Sequence, residues 1–303
     1  MQYIIENPIE IIKLHLSMIV DRLSVLTKLD IRYILESNDV YNIAEALKIT
    51  KTLTKLYLNN SFNYVSDFII IIEALKINTS ITHLSLEHTM IDKESNLIAE
   101  LLIVNKTLTH LYLGNNFIKS IGVSIIFNAL KINKILTTLD ISYSFICKDT
   151  AIVISDVLKT NNTLTSLIMV KCDINDESGI IIANSLCYNN SLKELYIYYN
   201  EIMLVGYKEF SISLKKNFML RTLDYDKTYD YDDTMIQKHL SMNKYLYPSV
   251  CKILENRGIS YVAHSKKYPF IPYELWLDIF EFIFTPKEYK YYMYMKNKLG
   301  WRY

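Results

Sequence analysis

The side chains with the most evident chemical potential in this 303-residue chain are three histidines, His83, His88 and His110. Facing histidines can hold a metal ion such as Zn2+, because an imidazole nitrogen is a common ligand of this metal. The spacing of the three residues fixes no further ligand, and no CxxC or CxxH pair accompanies them. We therefore predict that they bind no metal.

A second chemically suggestive group is a run of aspartates near the end of the chain: Asp224, Asp226, Asp230, Asp232 and Asp233. A calcium loop needs a glycine at its sixth position and a glutamate at its twelfth. Counted from Asp224, these positions hold Tyr229 and Met235. We predict instead that the first two aspartates lie on a strand and that the others precede a helix, whose positive N-terminal end favours carboxylates.

Motifs for catalysis or nucleotide binding are missing from the sequence. Nucleophile elbows, phosphate loops and dinucleotide-binding fingerprints all need glycines at fixed positions, and the chain has only 6 glycines. We predict a protein that is not an enzyme and that binds no cofactor.

Charge and hydropathy exclude further classes of protein. The 33 Lys and Arg residues nearly balance the 32 Asp and Glu residues, which argues against a protein that binds nucleic acid through a basic face. No apolar run approaches the roughly 18 residues of a membrane span. Glu6, Glu10 and Lys13 interrupt the apolar N-terminal stretch, unlike a signal peptide. We expect an intracellular protein without a membrane span.

The residues above are set in a repeated L-x-x-L-x-L pattern. It begins at Leu26 and recurs at steps of 27 or 28 residues. The later anchors are Leu53, Ile81, Leu108, Leu136, Leu164, Leu192 and Leu220. The anchor half of each unit alternates apolar and polar residues, which is typical of a strand, whereas the second half has helical spacing. Each unit is therefore predicted to be one strand followed by one helix.

An asparagine lies three residues before most anchors, as Asn78, Asn105 and Asn161 illustrate. After glycine, asparagine is the residue that best tolerates the left-handed conformation that closes many helices. We therefore expect these asparagines to adopt that conformation at the helix ends.

This pattern resembles the leucine-rich repeats of the ribonuclease-inhibitor type, L-x-x-L-x-L-x-x-N-x-I followed by a helix. Asn116 with Ile118 and Asn200 with Ile202 match its last two positions. The resemblance implies an α/β fold, a horseshoe solenoid with parallel strands on the concave side and helices on the convex side. It implies a binding scaffold without specifying the partner. Separately, the spacing of Leu275, Ile279 and Ile283 after Pro272 predicts a small α-helical C-terminal segment. The predicted parts are an N-terminal cap (1–25), the repeats (26–245), a C-terminal cap and linker (246–268) and a helical segment (269–303).

Residues that alternate with the strand leucines are predicted to face the concave surface. We expect a protein target to contact the aromatic and aliphatic residues among them: Tyr57, His83, His110, Tyr112, Ile168, Val170, Tyr196 and Tyr198. Aromatic side chains are typical of binding hot spots. The alternative is that amino-acid composition, and not binding, explains the tyrosines on this surface. The chain has 25 tyrosines, and its composition resembles that of proteins from AT-rich genomes, such as those of giant viruses, which predicts a viral protein.

The C-terminal segment carries a second motif. It resembles the opening of an F-box at Ile271, Pro272, Glu274, Leu275, Leu277, Ile279, Phe280 and Ile283. The resemblance implies that Pro272, Leu275, Ile279 and Phe280 contact a Skp-type adaptor, and that the repeats select a substrate for a cullin-RING ubiquitin ligase. Three alternatives stay open: a segment that only caps the repeats, a binding scaffold or inhibitor with no role in ubiquitination, and a regulator of a small GTPase.

Overall fold

The computed structural model describes residues 2–5, 26–89, 91–226 and 233–246. Most of the predicted N-terminal cap and the whole of the F-box-like segment, with Pro272, Leu275, Ile279 and Phe280, lie outside the described residues. The contacts predicted for those four residues therefore stay predictions.

The described residues form one parallel sheet of nine strands, each paired with its neighbours in the chain. The strands are β1 (Gln2–Ile5), β2 (Lys28–Ile31), β3 (Lys55–Leu58), β4 (His83–Ser85), β5 (His110–Tyr112), β6 (Thr138–Asp140), β7 (Ser166–Ile168), β8 (Glu194–Tyr196) and β9 (Thr222–Asp224). Equivalent residues of successive repeats lie opposite one another, as Leu56, Leu84 and Leu111 do. The step of 27 or 28 residues thus fixes the register. Strand β1, within the predicted N-terminal cap, was not expected from the sequence.

A helix follows each strand from β2 onward. The helices are α1 (Ser37–Ile49), α2 (Val65–Ile77), α3 (Ser95–Val104), α4 (Ser120–Leu130), α5 (Lys148–Thr160), α6 (Asp176–Leu186), α7 (Leu204–Leu214) and α8 (Thr234–Ser241), and a π-helical turn spans Met242–Leu246. Each helix packs against the next along the chain and buries one apolar face, which in α5 includes Ala151, Ile154 and Leu158. No helix in these ranges is long and apolar enough to cross a bilayer.

The two layers have different natural spacings. Paired strands lie about 4.7–4.9 Å apart, whereas packed helices need about 8–10 Å. The helical layer is therefore the longer one, and the stack curves with its strands on the inside. We call the sheet surface turned away from the helices the inner face; its side chains alternate with the buried leucines of β2–β9. This is the fold that the repeat predicts, a leucine-rich-repeat solenoid.

The asparagines that end each repeat have a different role from the one expected. Asn78 has φ −67° and ψ 139°, and the others also lie outside the left-handed residues of the described chain. The Asn78 Nδ2 donates to the carbonyl of Leu47, one repeat earlier, at 2.6 Å. Its Oδ1 accepts from the backbone N–H groups of Ser80 and Ile81. The expectation of a left-handed helix end is wrong, because a buried carbonyl of the preceding repeat needs this amide donor.

The same three hydrogen bonds recur at five further asparagines along the stack. These are Asn105, Asn133, Asn161, Asn189 and Asn217. We call the six residues, including Asn78, the asparagine ladder. It ties each helix end to the start of the next repeat.

Left-handed residues occur instead just after the strands, at the same position in six successive repeats; in two of these repeats a second one, Phe117 or Asp173, follows two residues later. The six at the shared position are Asn60, His88, Asn115, Tyr143, Lys171 and Tyr199, with φ between 52° and 59°. Each precedes the position at which the consensus has its asparagine, where Asn116 and Asn200 donate to carbonyls of the preceding repeat. The sharp turn of each unit therefore lies between strand and helix.

Candidate protein-binding surface on the inner sheet face

The parallel register collects most of the predicted contact residues into two rows. Tyr57, Tyr112, Ile168 and Tyr196 share one row, with Ser85 and Asp140 between them. His83 and His110 are paired in the neighbouring row. All six predicted residues are partly exposed. The rows therefore place apolar ring and methylene surface next to polar tips that solvent or a partner can reach.

Val170 departs from this arrangement. It is only 5 % exposed, so its side chain does not offer contact area. It directly precedes the left-handed residue Lys171, at the point where the chain leaves the strand. The prediction that Val170 is an exposed contact is therefore wrong. Tyr198, its counterpart in the next repeat, stays partly exposed, with its ring edge-on to Tyr199 at 5.1 Å.

The two inner-face histidines form a stacked pair. Their ring centroids are 3.9 Å apart and their planes differ by 10°. Partial burial lowers the pKa of His83 to about 4, and the nearby charges of His110 and Lys55 contribute to the shift. Burial and the charge of Lys55 also lower the pKa of His110. Both rings are therefore neutral at pH 7.

The hydrogen bonds of this pair assign its tautomers. The Thr82 hydroxyl donates to the carbonyl of Thr54 at 3.1 Å, so the same oxygen accepts from His83 Nδ1 at 2.9 Å. Thr109 does the same between the carbonyl of Thr82 and His110 Nδ1. With Nδ1 protonated in both neutral rings, each Nε2 is a hydrogen-bond acceptor.

Two carboxylates converge above Gly114, a feature that the sequence analysis did not find. Asp140 accepts at Oδ1 from the backbone N–H and hydroxyl of Ser142, at 2.8 and 2.6 Å, and Glu87 accepts at Oε2 from Asn59 at 3.4 Å. The other two oxygens, Asp140 Oδ2 and Glu87 Oε1, lie 3.5 and 3.6 Å from the position that a Cβ on Gly114 would occupy. We call this place the Gly114 notch.

Both carboxylates of the notch are poorly solvated. Burial raises the pKa of Asp140, and burial followed by the charge of Asp140 raises the pKa of Glu87. The signal in the sequence is a glycine at an inward position, between acidic residues contributed by the repeats on either side.

Metal-ligating side chains do not cluster in the part of the chain that the structure describes. It contains no group of three or more His, Cys, Asp or Glu residues that could hold an ion. His88 sits at an exposed left-handed turn after β4 and takes no part in the stacked pair. Asp224 ends β9, so the strand position predicted for Asp226, two residues further on, is wrong. Asp233 immediately precedes α8, whereas Asp230 and Asp232 lie outside the described residues.

No family model and no curated protein matches the chain. Among solved structures, it is similar to actin-binding site 2 of leiomodin-1, with 21 % identity, 55 % of this chain and 96 % of that chain covered, and a TM-score of 0.48. It is also similar to the C-terminal domain of tropomodulin from Caenorhabditis elegans, with 12 % identity, 62 % and 96 % coverage, and a TM-score of 0.42.

A further similar structure is the leucine-rich-repeat-containing protein LegL7 from Legionella pneumophila. Its identity is 17 %, 74 % of each chain is covered, and the TM-score is 0.48. At these identities the likeness concerns the fold alone. The register, the order of the strands and the single helical layer define this chain as a leucine-rich-repeat solenoid.

Proposed function

We propose that this protein is a non-enzymatic recognition scaffold whose inner face binds a target protein. The observation that supports this best is that Tyr57, Tyr112 and Tyr196 lie in one row, on strands β3, β5 and β8. Tyrosine combines a large, rigid apolar ring with a polar tip, which suits it to protein interfaces. A parallel sheet holds these rings at fixed spacings, so little conformational entropy is lost when a partner docks.

We further propose that the chain acts inside the cell as an F-box/leucine-rich-repeat-like substrate receptor. In this role residues 269–303 recruit a Skp-type adaptor of a cullin-RING ubiquitin ligase while the inner face holds the substrate. The support is the F-box-like sequence from Ile271 to Ile283. The two activities lie in different parts of the chain, so separate variants can test them.

The inner-face proposal is tested with a double variant, Tyr112→Ala with Tyr196→Ala. The matched control is Tyr41→Ala with Tyr188→Ala, because Tyr41 and Tyr188 are 56 % and 67 % exposed and lie outside the inner face. Protein partners are captured on the full chain, and their contact points are mapped by cross-linking and mass spectrometry. We expect cross-links to the inner face and at least a tenfold loss of affinity for the inner-face variant only, since hot-spot residues contribute about 2 kcal/mol or more. Equal losses in both variants would reject the inner face as the binding surface.

The ligase proposal is tested by measuring binding of a Skp-type adaptor to the full chain. We expect the wild type to bind, Leu275→Asp with Ile279→Asp to lose binding, and Tyr112→Ala with Tyr196→Ala to retain it. Circular dichroism establishes that each variant stays folded. If the wild type does not bind the adaptor, the ligase role is rejected and the scaffold proposal is judged on the inner-face experiment alone.

A further inference from the structure

We propose that the inner face recognises a basic segment of its target, and that one Lys or Arg side chain of that segment enters the Gly114 notch between Glu87 and Asp140. This inference rests on the proposed function, because it assumes that the target docks on the inner face. It adds that the target presents a cationic side chain and that the Gly114 notch binds this side chain.

The charges of the inner face are unevenly distributed. On β4–β9 and the two residues after each strand, the inward positions carry five carboxylates and no Lys or Arg. The five are Glu87, Asp140, Glu194, Asp224 and Asp226. The cations Lys28, Arg32 and Lys55 are confined to the repeats of β2 and β3. Most of the inner face is therefore negative, although the whole chain is nearly neutral.

The five inward carboxylates of β4–β9 differ from other carboxylates of the chain in whether they form ion pairs. Asp30, near the cationic end, pairs with Lys28 at 3.3 Å and with Arg32 at 3.1 Å. On the helical side, the Lys76 ammonium group lies 2.7 Å from a carboxylate oxygen of Glu73 and 2.7 Å from one of Glu100. Other lysines on that side also form ion pairs. Within the described residues, none of the five inward carboxylates of β4–β9 has an ion-pair partner. Their charge is thus not balanced by an ion pair within the described part of the chain.

The Gly114 notch is the best-defined cation position on this negative surface. Asn59 and Ser142 hold one oxygen of each carboxylate, which orients the other oxygen, Glu87 Oε1 or Asp140 Oδ2, towards Gly114. A guanidinium or ammonium group placed there can donate to both oxygens, and charge-assisted hydrogen bonds of this kind are strong. Because Gly114 has no side chain, the position between the two oxygens that a Cβ would take is left open.

An organic cation fits this position better than a metal ion does. Ca2+ takes 6–8 oxygen ligands, whereas the notch offers two carboxylates already fixed by Asn59 and Ser142. Partial burial limits the hydration of the Glu87 and Asp140 carboxylates and raises the pKa of both. A cation that fills the notch therefore relieves an unfavourable interaction within the folded chain.

The probe is an N-acetyl, C-amide hexaarginine peptide, with the neutral hexacitrulline peptide as its uncharged match. Binding to the full chain is measured by calorimetry at low and high salt. We expect hexaarginine to bind, hexacitrulline not to bind, and high salt to weaken the binding. If hexaarginine does not bind the wild type, or hexacitrulline binds equally well, the inference is overturned.

Two variants locate the binding. Glu87→Gln with Asp140→Asn is expected to weaken hexaarginine binding at least tenfold. Asp149→Asn with Glu209→Gln, which changes the net charge equally on helices α5 and α7, is expected to weaken it less than twofold. Gly114→Ala occupies the notch without changing any charge, and we expect it to weaken binding several-fold. Equal losses in the two charge variants would show non-specific attraction and overturn the inference.

The chain's own C-terminal cations are the competing occupant. A variant with Gln at all five of them removes this competition: Lys287, Lys290, Lys296, Lys298 and Arg302. Hexaarginine that binds this variant but not the wild type would identify the notch as a site for that segment and overturn the proposal of a target cation. If the probe fails everywhere while Tyr112→Ala with Tyr196→Ala still abolishes target capture, the inference is wrong and the proposed function stands.

Discussion

His83 and His110 lie on adjacent strands with their rings stacked 3.9 Å apart, and both are held as the Nδ1-protonated tautomer by threonine hydroxyls. Two imidazoles at this distance, beside Lys55, share an environment that opposes protonation of either ring. The pair is therefore a feature of the inner face that responds to pH within the range in which proteins are handled.

The first prediction follows from the lowered pKa values of these rings. Below pH 6.5 the unfolded chain binds protons on the two histidines that the folded chain does not, so their contribution to stability is complete above pH 6.5 and is lost as the pH falls. For His83 the loss continues to about pH 4. The measurement is the free energy of unfolding across this range for wild type and for His83→Gln with His110→Gln. We expect the variant to lose less stability on acidification. Glu87 and Asp140, whose pKa values are raised, contribute the opposite slope in both chains and cancel in the comparison.

The second prediction concerns the asparagine ladder. Asn161→Ala removes a buried donor to the Leu130 carbonyl and two acceptor contacts to the N–H groups of Thr163 and Leu164. We expect a loss of about 3 kcal/mol in unfolding free energy, because buried groups left without partners cost about 1–3 kcal/mol each and part of the loss is recovered by relaxation. Chemical denaturation measures the change. The adjacent and exposed Asn162 supplies the control, and a comparable loss in Asn162→Ala would contradict the role of the ladder.

The third prediction concerns the left-handed turns. Lys171 has φ 52°, a conformation that costs a residue with a Cβ about 1–2 kcal/mol and that asparagine adopts more readily. Lys171→Asn also loses the contact of its ammonium group with the ring of Tyr143, which is worth about 0.5 kcal/mol at an exposed site. We expect a net stabilisation of about 0.5 kcal/mol by denaturation. The control Lys131→Asn, at a residue with φ −63°, should give no stabilisation; a gain there as well would remove the conformational explanation.

The fourth prediction concerns thiol chemistry. Hydrogen bonds from Thr150 lower the pKa of the exposed Cys147 to about 7, at the residue that precedes α5. Burial raises the pKa of Cys172 to about 12. We expect iodoacetamide to modify Cys147 with a rate that rises through a midpoint near pH 7, while Cys172 reacts only after unfolding. Peptide mass spectrometry follows the two residues separately, and equal modification of both in the folded chain would contradict the structure.

The periodicity of the sequence was enough to predict the fold and the inward direction of the contact residues. A step of 27 or 28 residues brings Tyr57, Tyr112 and Tyr196 into one row whatever their side chains are, because the strand register depends only on the buried leucines. Periodicity does not indicate how deeply a side chain is buried, however. Val170 occupies a position that was predicted to face inward, but it is buried, and the chain turns at the next residue, Lys171.

Interactions between repeats were the part that the sequence did not reveal. The asparagine preference at helix ends has two explanations, a left-handed closure and a bridge to a neighbouring carbonyl, and only the second needs a partner 31 residues away, as between Asn78 and Leu47. The Gly114 notch likewise combines three separate repeats. Such features depend on rotamers and distances that no single repeat encodes.

The asparagine ladder has a consequence for how the length of such a chain can change. Each amide group bonds to the carbonyl of the equivalent leucine in the preceding unit, 30 or 31 residues earlier, so adding or deleting one whole unit leaves every remaining pair intact. Gene duplication in complete modules is therefore the tolerated way for this architecture to grow or shrink.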